Sequence, residues 1–441
     1  MTMIRDESSA AAVHLLPPGP GVPRTVQGVL ALANRTKALT MLRDRYGPDF
    51  TVNVPIFGRI VVLSDPDHIR ELFRAGPDLA DTIDSSLGRV MGPNSLFALT
   101  GEKFRAHRKL LTPPFHGRQL AAYRAIVEEE ALAEFATWPH DRRFPTIPSM
   151  TRITLNVMLR AVLGADGEEL ERLREMLPPA IRLGSNLVII PVPQWDWGWA
   201  SPYGRFRRYR REYDAIVDRL IDRAHVDPDL ENRDDVLALM LRSRYDDGSP
   251  MTRSEIADEL ITFLAAGHET TATTLAWIVE RIQRHPALLD RVVADLDNGS
   301  GDLLNATILE VQRTRPAIDS TFRMVTGPSL RIGPWTLPHG QTIVAAIGLL
   351  HSDATVFADA HRFQPDRFLT GATDPAAFIP YGGGIRRCIG AAFANMEMNT
   401  VIRTMLRDYV VAPSNARGER VQTLRVSITP SRGALVSVRP R

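Results

Sequence analysis

The sequence predicts a mainly α-helical fold with a small β part, built as one large domain around a long central helix. Three observations carry this. Leu, Ala, Arg and Glu, which suit helices, are abundant, and aromatic residues make up only 7% of the chain. Residues 251–285 form an unbroken helical pattern which, at 1.5 Å per residue, spans about 50 Å, enough to cross a domain. Residues 321–350 are instead rich in Gly, Pro and β-branched residues, the mark of short strands. With 441 residues, 44% of them hydrophobic, the chain buries a large core.

The elements run in order along the chain. Leu15 to Pro23 reads LLPPGPGVP, a stiff lead-in rather than an element. We therefore assign residues 1–24 to a lead-in. No linker, repeat or low-complexity segment divides the remainder of the chain, so residues 25–441 are read as a single domain. A helical pattern runs to Tyr46-Gly47-Pro48. Phe50–Val54 and Arg59–Leu63 read as two strands around a Pro55/Gly58 turn. From Asp65 to about Arg242 the pattern is mostly helical, punctuated by Pro113-Pro114, Pro178-Pro179 and a loop from Gly184 to Pro202. Thr252 and Glu255 form a capping box at the start of the long helix, and Pro286 blocks its continuation. A helix over about 303–315 stops at Pro316. A last one runs from about Cys388 to Leu406.

Composition excludes several functions. A net charge of +2 gives no global reason to bind nucleic acid. The single cysteine forbids an intrachain disulfide and every multi-cysteine metal site. Met1 to Ala12 carries Arg5, Asp6 and Glu7 and no apolar run of signal-peptide length. No run approaches the roughly 20 apolar residues that a spanning helix needs. The expectation is a cytoplasmic protein without a transmembrane segment.

The lone cysteine sits in residues 378–390, FIPYGGGIRRCIG. Gly382, Gly383 and Gly384 let the backbone turn tightly and approach something flat. Cys388 is expected at a helix N-terminus, with Arg386 nearby, and both favour a thiolate. Gly390 removes a side chain beside the sulfur. The alternative on these residues alone is a buried structural cysteine after a glycine turn.

This segment resembles the cysteine-ligand loop of the cytochrome P450 superfamily, the haem-thiolate monooxygenases. Tyr381, Gly384, Arg386, Cys388 and Gly390 fill that family's pattern, with Tyr381 standing where Phe is usual. Three further segments resemble the family in the expected order. Ala265-Ala266-Gly267-His268-Glu269-Thr270-Thr271 is similar to the oxygen-activating helix, which implies that Thr270 holds a water or dioxygen and that Glu269 feeds protons, with Ala266 against the haem. Glu310 and Arg313, joined by Arg367 of Pro365-Asp366-Arg367-Phe368, resemble a buried structural charge network. Arg108, in the helix after Gly101, matches the family's propionate arginine; Phe104 stands where a Trp is common, and His107 is a substitute donor. Arg323 is the other implied propionate partner.

The resemblance implies a soluble bacterial-type enzyme with haem b, its iron ligated by Cys388. It would insert one oxygen atom of dioxygen into an organic substrate. No flavin or iron–sulfur motif is present, so electrons come from separate proteins, a ferredoxin and its reductase. Lys103, Arg105 and Lys109 are candidates to dock an acidic partner. Residues 187–203, LVIIPVPQWDWGWASPY, precede a basic run at 205–211. Together they suggest a hydrophobic or lipid-like substrate, or transient contact with a membrane surface. The competing readings are a peroxygenase or isomerase, which often lacks the Glu269-Thr270 pair, and a haem-thiolate sensor or ligand-binding protein.

Overall fold

The structure is a computed structural model describing residues 15–55, 58–83, 86–189, 196–371, 373–424 and 427–441. The chain divides into two compact units, Met1–Ile83 with Ser320–Leu350, and Asp84–Asp319 with His351–Arg441.

The first unit holds the β part. Strands Asp49–Val54 and Gly58–Leu63 pair antiparallel, with Phe50 opposite Val62. The second strand then pairs in parallel with Thr342–Ala345, which pairs antiparallel with Thr321–Val325. Ala80–Asp81 completes a five-stranded sheet. Phe50, Ile60, Val62 and Val344 bury one face against Leu39, Leu42 and Tyr46 of the helix Arg24–Tyr46. The Pro-rich lead-in lies along the first strand: the Thr51 N–H donates to the Pro18 carbonyl at 2.8 Å. Gly19 is required there, since a Cβ would sit 2.0 Å from the Thr51 carbonyl oxygen.

The second unit is built around the helix Arg253–Ile282. Its capping box is complete: the Thr252 hydroxyl accepts the Glu255 N–H, and the Glu255 carboxylate accepts the Thr252 N–H at 2.7 Å. Pro286 opens the next helix, Pro286–Asp297. The central helix is buried over most of its length, as a helix apolar nearly all round must be. Thr154, on the helix Ile147–Leu163, donates its hydroxyl to the His268 carbonyl at 3.0 Å. Trp277 donates its indole N–H to the Ile428 carbonyl at 2.8 Å.

Two local expectations fail. Pro178 and Pro179 lie inside the helix Gly167–Ile189 rather than ending it. The last helix is Ala391–Asp408, with Gly390 as its N-cap, so Cys388 precedes it instead of opening it. Neither difference is visible locally, because helix continuity past a proline and the exact first turn are decided by what the helix packs on.

Candidate active site

The Cys388 loop is closed by its own backbone. The Gly382 N–H donates to the Ile379 carbonyl at 2.9 Å, and the Cys388 N–H to the Tyr381 carbonyl at 3.0 Å. Gly382 and Gly384 have φ of 67° and 65°, a conformation that favours glycine. Gly383 is extended at φ −157°, which any residue tolerates. A thiolate at Cys388 would receive the N–H of Gly390, the N-cap of the last helix, and the fields of Arg108 and Arg387. Burial outweighs all three and pushes the thiol pKa up. Cys388 is nonetheless accessible. The two facts together place its thiol in a recess, crowded by protein yet reachable. A thiol so placed stays protonated at neutral pH unless a metal cation binds it, since coordination removes the proton outright. This makes it a poor free nucleophile and a suitable metal ligand.

Residues 96–99 tie this loop to the central helix. Arg386 donates to the carbonyls of Leu96 at 2.8 Å and Leu99 at 2.7 Å. Its guanidinium carbon lies 3.4 Å from the centroid of the buried Phe104 ring, a close cation–π contact. From the same strap, the Leu96 N–H donates to Glu259 of the central helix at 2.7 Å. Arg108 donates to the Arg387 carbonyl at 2.6 Å, one residue from the sulfur. Phe104, which cannot donate a hydrogen bond, thus serves as a stacking platform.

The central helix opens at one place. Ala266 is exposed, and Ala265, Gly267, Glu269 and Thr270 are half-buried, between long buried stretches on either side. These small residues do different work. Ala265 joins an apolar cluster with Leu87, Val90, Phe97 and Leu187. Gly267 admits another helix, since a Cβ there would meet the Met158 methyl at 2.8 Å. Only Ala266 presents a bare surface. The Thr270 hydroxyl donates to the Ala266 carbonyl at 2.7 Å, leaving its oxygen free to accept. The residues fit a flat, thiolate-ligated prosthetic group: an accessible sulfur in a glycine loop, an exposed alanine on an otherwise buried helix, and an arginine beside the sulfur.

Other expected residues have partners of their own. His107 is buried and faces elsewhere, with Nδ1 2.7 Å from the Tyr245 hydroxyl and Nε2 3.3 Å from Glu259. Arg323 lies in the first unit, where it donates to the Phe322 carbonyl at 2.8 Å and stacks 5.9 Å from the Phe73 ring. Arg105 pairs with Glu102, and Lys109 pairs with Asp246 at 2.6 Å, while Lys103 stays exposed. Of the tryptophans, Trp197 and Trp199 are exposed, and Trp195 lies outside the described residues.

Glu310, Arg313 and Arg367 do come together, nearly dry. Arg313 makes a bidentate pair with Glu310 at 2.7 and 2.8 Å, and Arg367 approaches the same carboxylate at 3.3 Å. Arg313 also donates to the carbonyls of His351 at 2.7 Å and Ala360 at 2.9 Å. His351 is a residue that motif reasoning missed. Burial lowers its pKa to about 3, so it is neutral, and its Nε2 accepts the Ile379 N–H at 3.0 Å, at the root of the Cys388 loop. Gln312 and Asn395, both bonded to Tyr381, were missed too. Gln312 lies inside the Glu310–Arg313 motif, which was the available signal.

Comparison with known proteins agrees with this geometry. One family profile, Cytochrome P450, matches residues 17–437. A Mycobacterium tuberculosis protein named "Putative cytochrome P450 138" is 46% identical over the whole of both chains. A second from that organism, "Putative cytochrome P450 135B1", is 38% identical over 96% of this chain and 91% of its own. Among solved structures, "Retinoic acid bound cyanobacterial CYP120A1" superposes with a TM-score of 0.83 at 22% identity, over 97% of this chain and 100% of that one. "Crystal structure of cytochrome P450DA heme domain" reaches 0.86 at 20% identity, over 97% and 98%.

Proposed function

Because this chain belongs to the cytochrome P450 family, whose members carry haem on a cysteine thiolate, we propose that it inserts one atom of dioxygen into a hydrophobic small molecule. The observation that carries this reading is Cys388: an accessible sulfur in a tight glycine loop, with Arg108 bonded to the carbonyl of the residue before it. Haem b, held through Cys388, supplies the redox and oxygen chemistry when bound. The rest falls to this chain's own side chains. Ala266 offers a surface without bulk, and Ala265, Leu87 and Phe97 present apolar walls for a lipophilic substrate. The Thr270 oxygen accepts a hydrogen bond at the open stretch of the helix, and Glu269, next to it, is the proposed proton source. Arg108 and Arg386 are the proposed cations beside the carboxylates of the group.

Electrons come from a ferredoxin and its reductase in this reading. Exposed Lys103 supports an acidic partner. So do Arg124 and Arg403, which line a cleft of about 740 Å³ that Asn395 shares, while Arg407 beside them is paired with Glu128 and Asp408. Among the described residues no helix is long and apolar enough to cross a membrane. We place the enzyme in the cytoplasm, with residues 25–441 as one catalytic domain, on the grounds of sequence composition and the unbroken run of elements. The Glu269-Thr270 pair favours a monooxygenase over a peroxygenase, which often lacks it, and over a sensor, which needs no proton delivery.

The deciding experiment is the ferrous–carbon monoxide difference spectrum of the purified protein beside Cys388→Ser. The wild type is expected to give the thiolate spectrum and the variant to lose it. An imidazole-type spectrum in the wild type, or an unchanged one in the variant, ends the proposal.

A further inference from the structure

Tyr381 closes a three-membered ring of hydrogen bonds with residues from two helices. Its hydroxyl donates to Asn395 Oδ1 at 2.8 Å, on the helix Ala391–Asp408. The Gln312 amide donates to the Tyr381 hydroxyl at 2.8 Å and to Asn395 Oδ1 at 2.8 Å, from the helix Asp302–Thr314. The donors and acceptors match: a phenol gives one proton and accepts one, and an amide nitrogen gives two. Gln312 is 4% exposed, and its helix is fixed by the Glu310–Arg313 pair one residue on. At its other end Tyr381 meets the ligand directly, since its carbonyl accepts the Cys388 N–H at 3.0 Å.

We propose that Gln312, Tyr381 and Asn395 form a clamp that positions the haem-ligating thiolate of Cys388. This rests on the haem-thiolate reading above. The loop's glycines make it pliable, and the backbone turns within it tie it only to itself. The clamp is a side-chain tie from the loop to one helix well before it and to the helix that follows it in sequence. It also commits the phenol proton to Asn395. The phenol proton, given to Asn395, is thus not offered to the sulfur, which leaves electron density on the ligand.

The test uses the full-length haem-loaded protein and two readouts: the haem midpoint potential, and the rate at which the ferrous–carbon monoxide complex passes from the thiolate to the neutral-thiol form. Tyr381→Phe keeps the ring that packs in the loop and removes only the hydroxyl. Loss of buried hydrogen bonds of this kind is expected to speed the conversion roughly tenfold, with a displaced potential. Gln312→Leu should do the same in the Tyr381 background and have a clearly smaller effect in the Tyr381→Phe background, where only its bond to Asn395 is left to lose. A merely structural Gln312 would act equally in both. Tyr381→Phe with wild-type rate and potential overturns the clamp, as does a Gln312→Leu effect that persists undiminished beside it. A wild type without the thiolate spectrum overturns the haem-thiolate reading itself, a separate result.

Discussion

Cys388 and Glu397 lie nine positions apart in sequence, and burial acts on both in the same direction with opposite chemical meaning. Cys388 is pushed toward the neutral thiol, and a metal reverses that. Glu397 is fully buried, neither carboxyl oxygen has a hydrogen-bond partner among the described residues, and burial alone raises its pKa well above the usual value near 4.5. The folded protein therefore holds a proton that the unfolded chain releases. Below pH 4.5 both states are protonated and the group is neutral in its effect. Above it, stability falls with rising pH by up to about 1.4 kcal/mol per pH unit until the folded pKa is reached. Glu397→Gln removes the ionisation. Its melting temperature relative to wild type should rise steadily between about pH 5 and pH 7. Parallel curves for the two proteins would show that Glu397 finds a partner or water in solution.

At the scale of elements, the helix Asp302–Thr314 is held by one buried carboxylate. Arg313→Met should cost about 3–5 kcal/mol, because it strands Glu310 at 0% exposure without its bidentate partner. It also frees the carbonyls of His351, Ala360 and Arg362, which Arg313 ties down. Urea denaturation should show the loss, and haem content should fall with it, because His351 anchors Ile379 at the root of the ligand loop. Near-wild-type stability would reduce the pair to a replaceable contact. This element also shows where sequence reading stops. The Glu310–Arg313 pair was legible in its i,i+3 spacing, Arg367 only through the family resemblance, and the capping box at Thr252 because it is local. His351, Gln312 and Asn395 were not, since each acts through a partner 14 to 69 positions away. Cys388 was legible as the candidate ligand, while its place in a loop rather than a helix depended on where Gly390 and Ala391 come to rest. The same holds for Pro178 and Pro179, whose helix survives them through packing that no local rule reports.

For the molecule as a whole, charge is nearly balanced, so surface chemistry is decided by local patches rather than by the net +2. One patch stands out. Trp197 is 66% exposed and Trp199 82%, on a short turn ahead of the helix Pro202–His225. Part of the adjoining basic run is consumed internally: Arg210 pairs with Asp214 at 2.7 Å and with the buried Asp258. Phe206 is core, packed with Val90 and Met91. Arg205, Arg208 and Arg211 stay exposed on the helix that follows the two indoles. Exposed tryptophans next to cations suit an interface that is apolar on one side and wet on the other. Each indole costs solvation in water and recovers it against a lipid surface or a lipophilic ligand. Replacing Trp197 and Trp199 together with Ala should therefore weaken partitioning onto anionic lipid vesicles and raise the spectral dissociation constants of long-chain ligands, by roughly tenfold for two aromatic anchors. Stability should barely move, since neither ring is buried. Vesicle binding and ligand titrations that match wild type would mean the indoles meet only water, and the lipophilic substrate would then rest on the apolar walls around Ala265 alone.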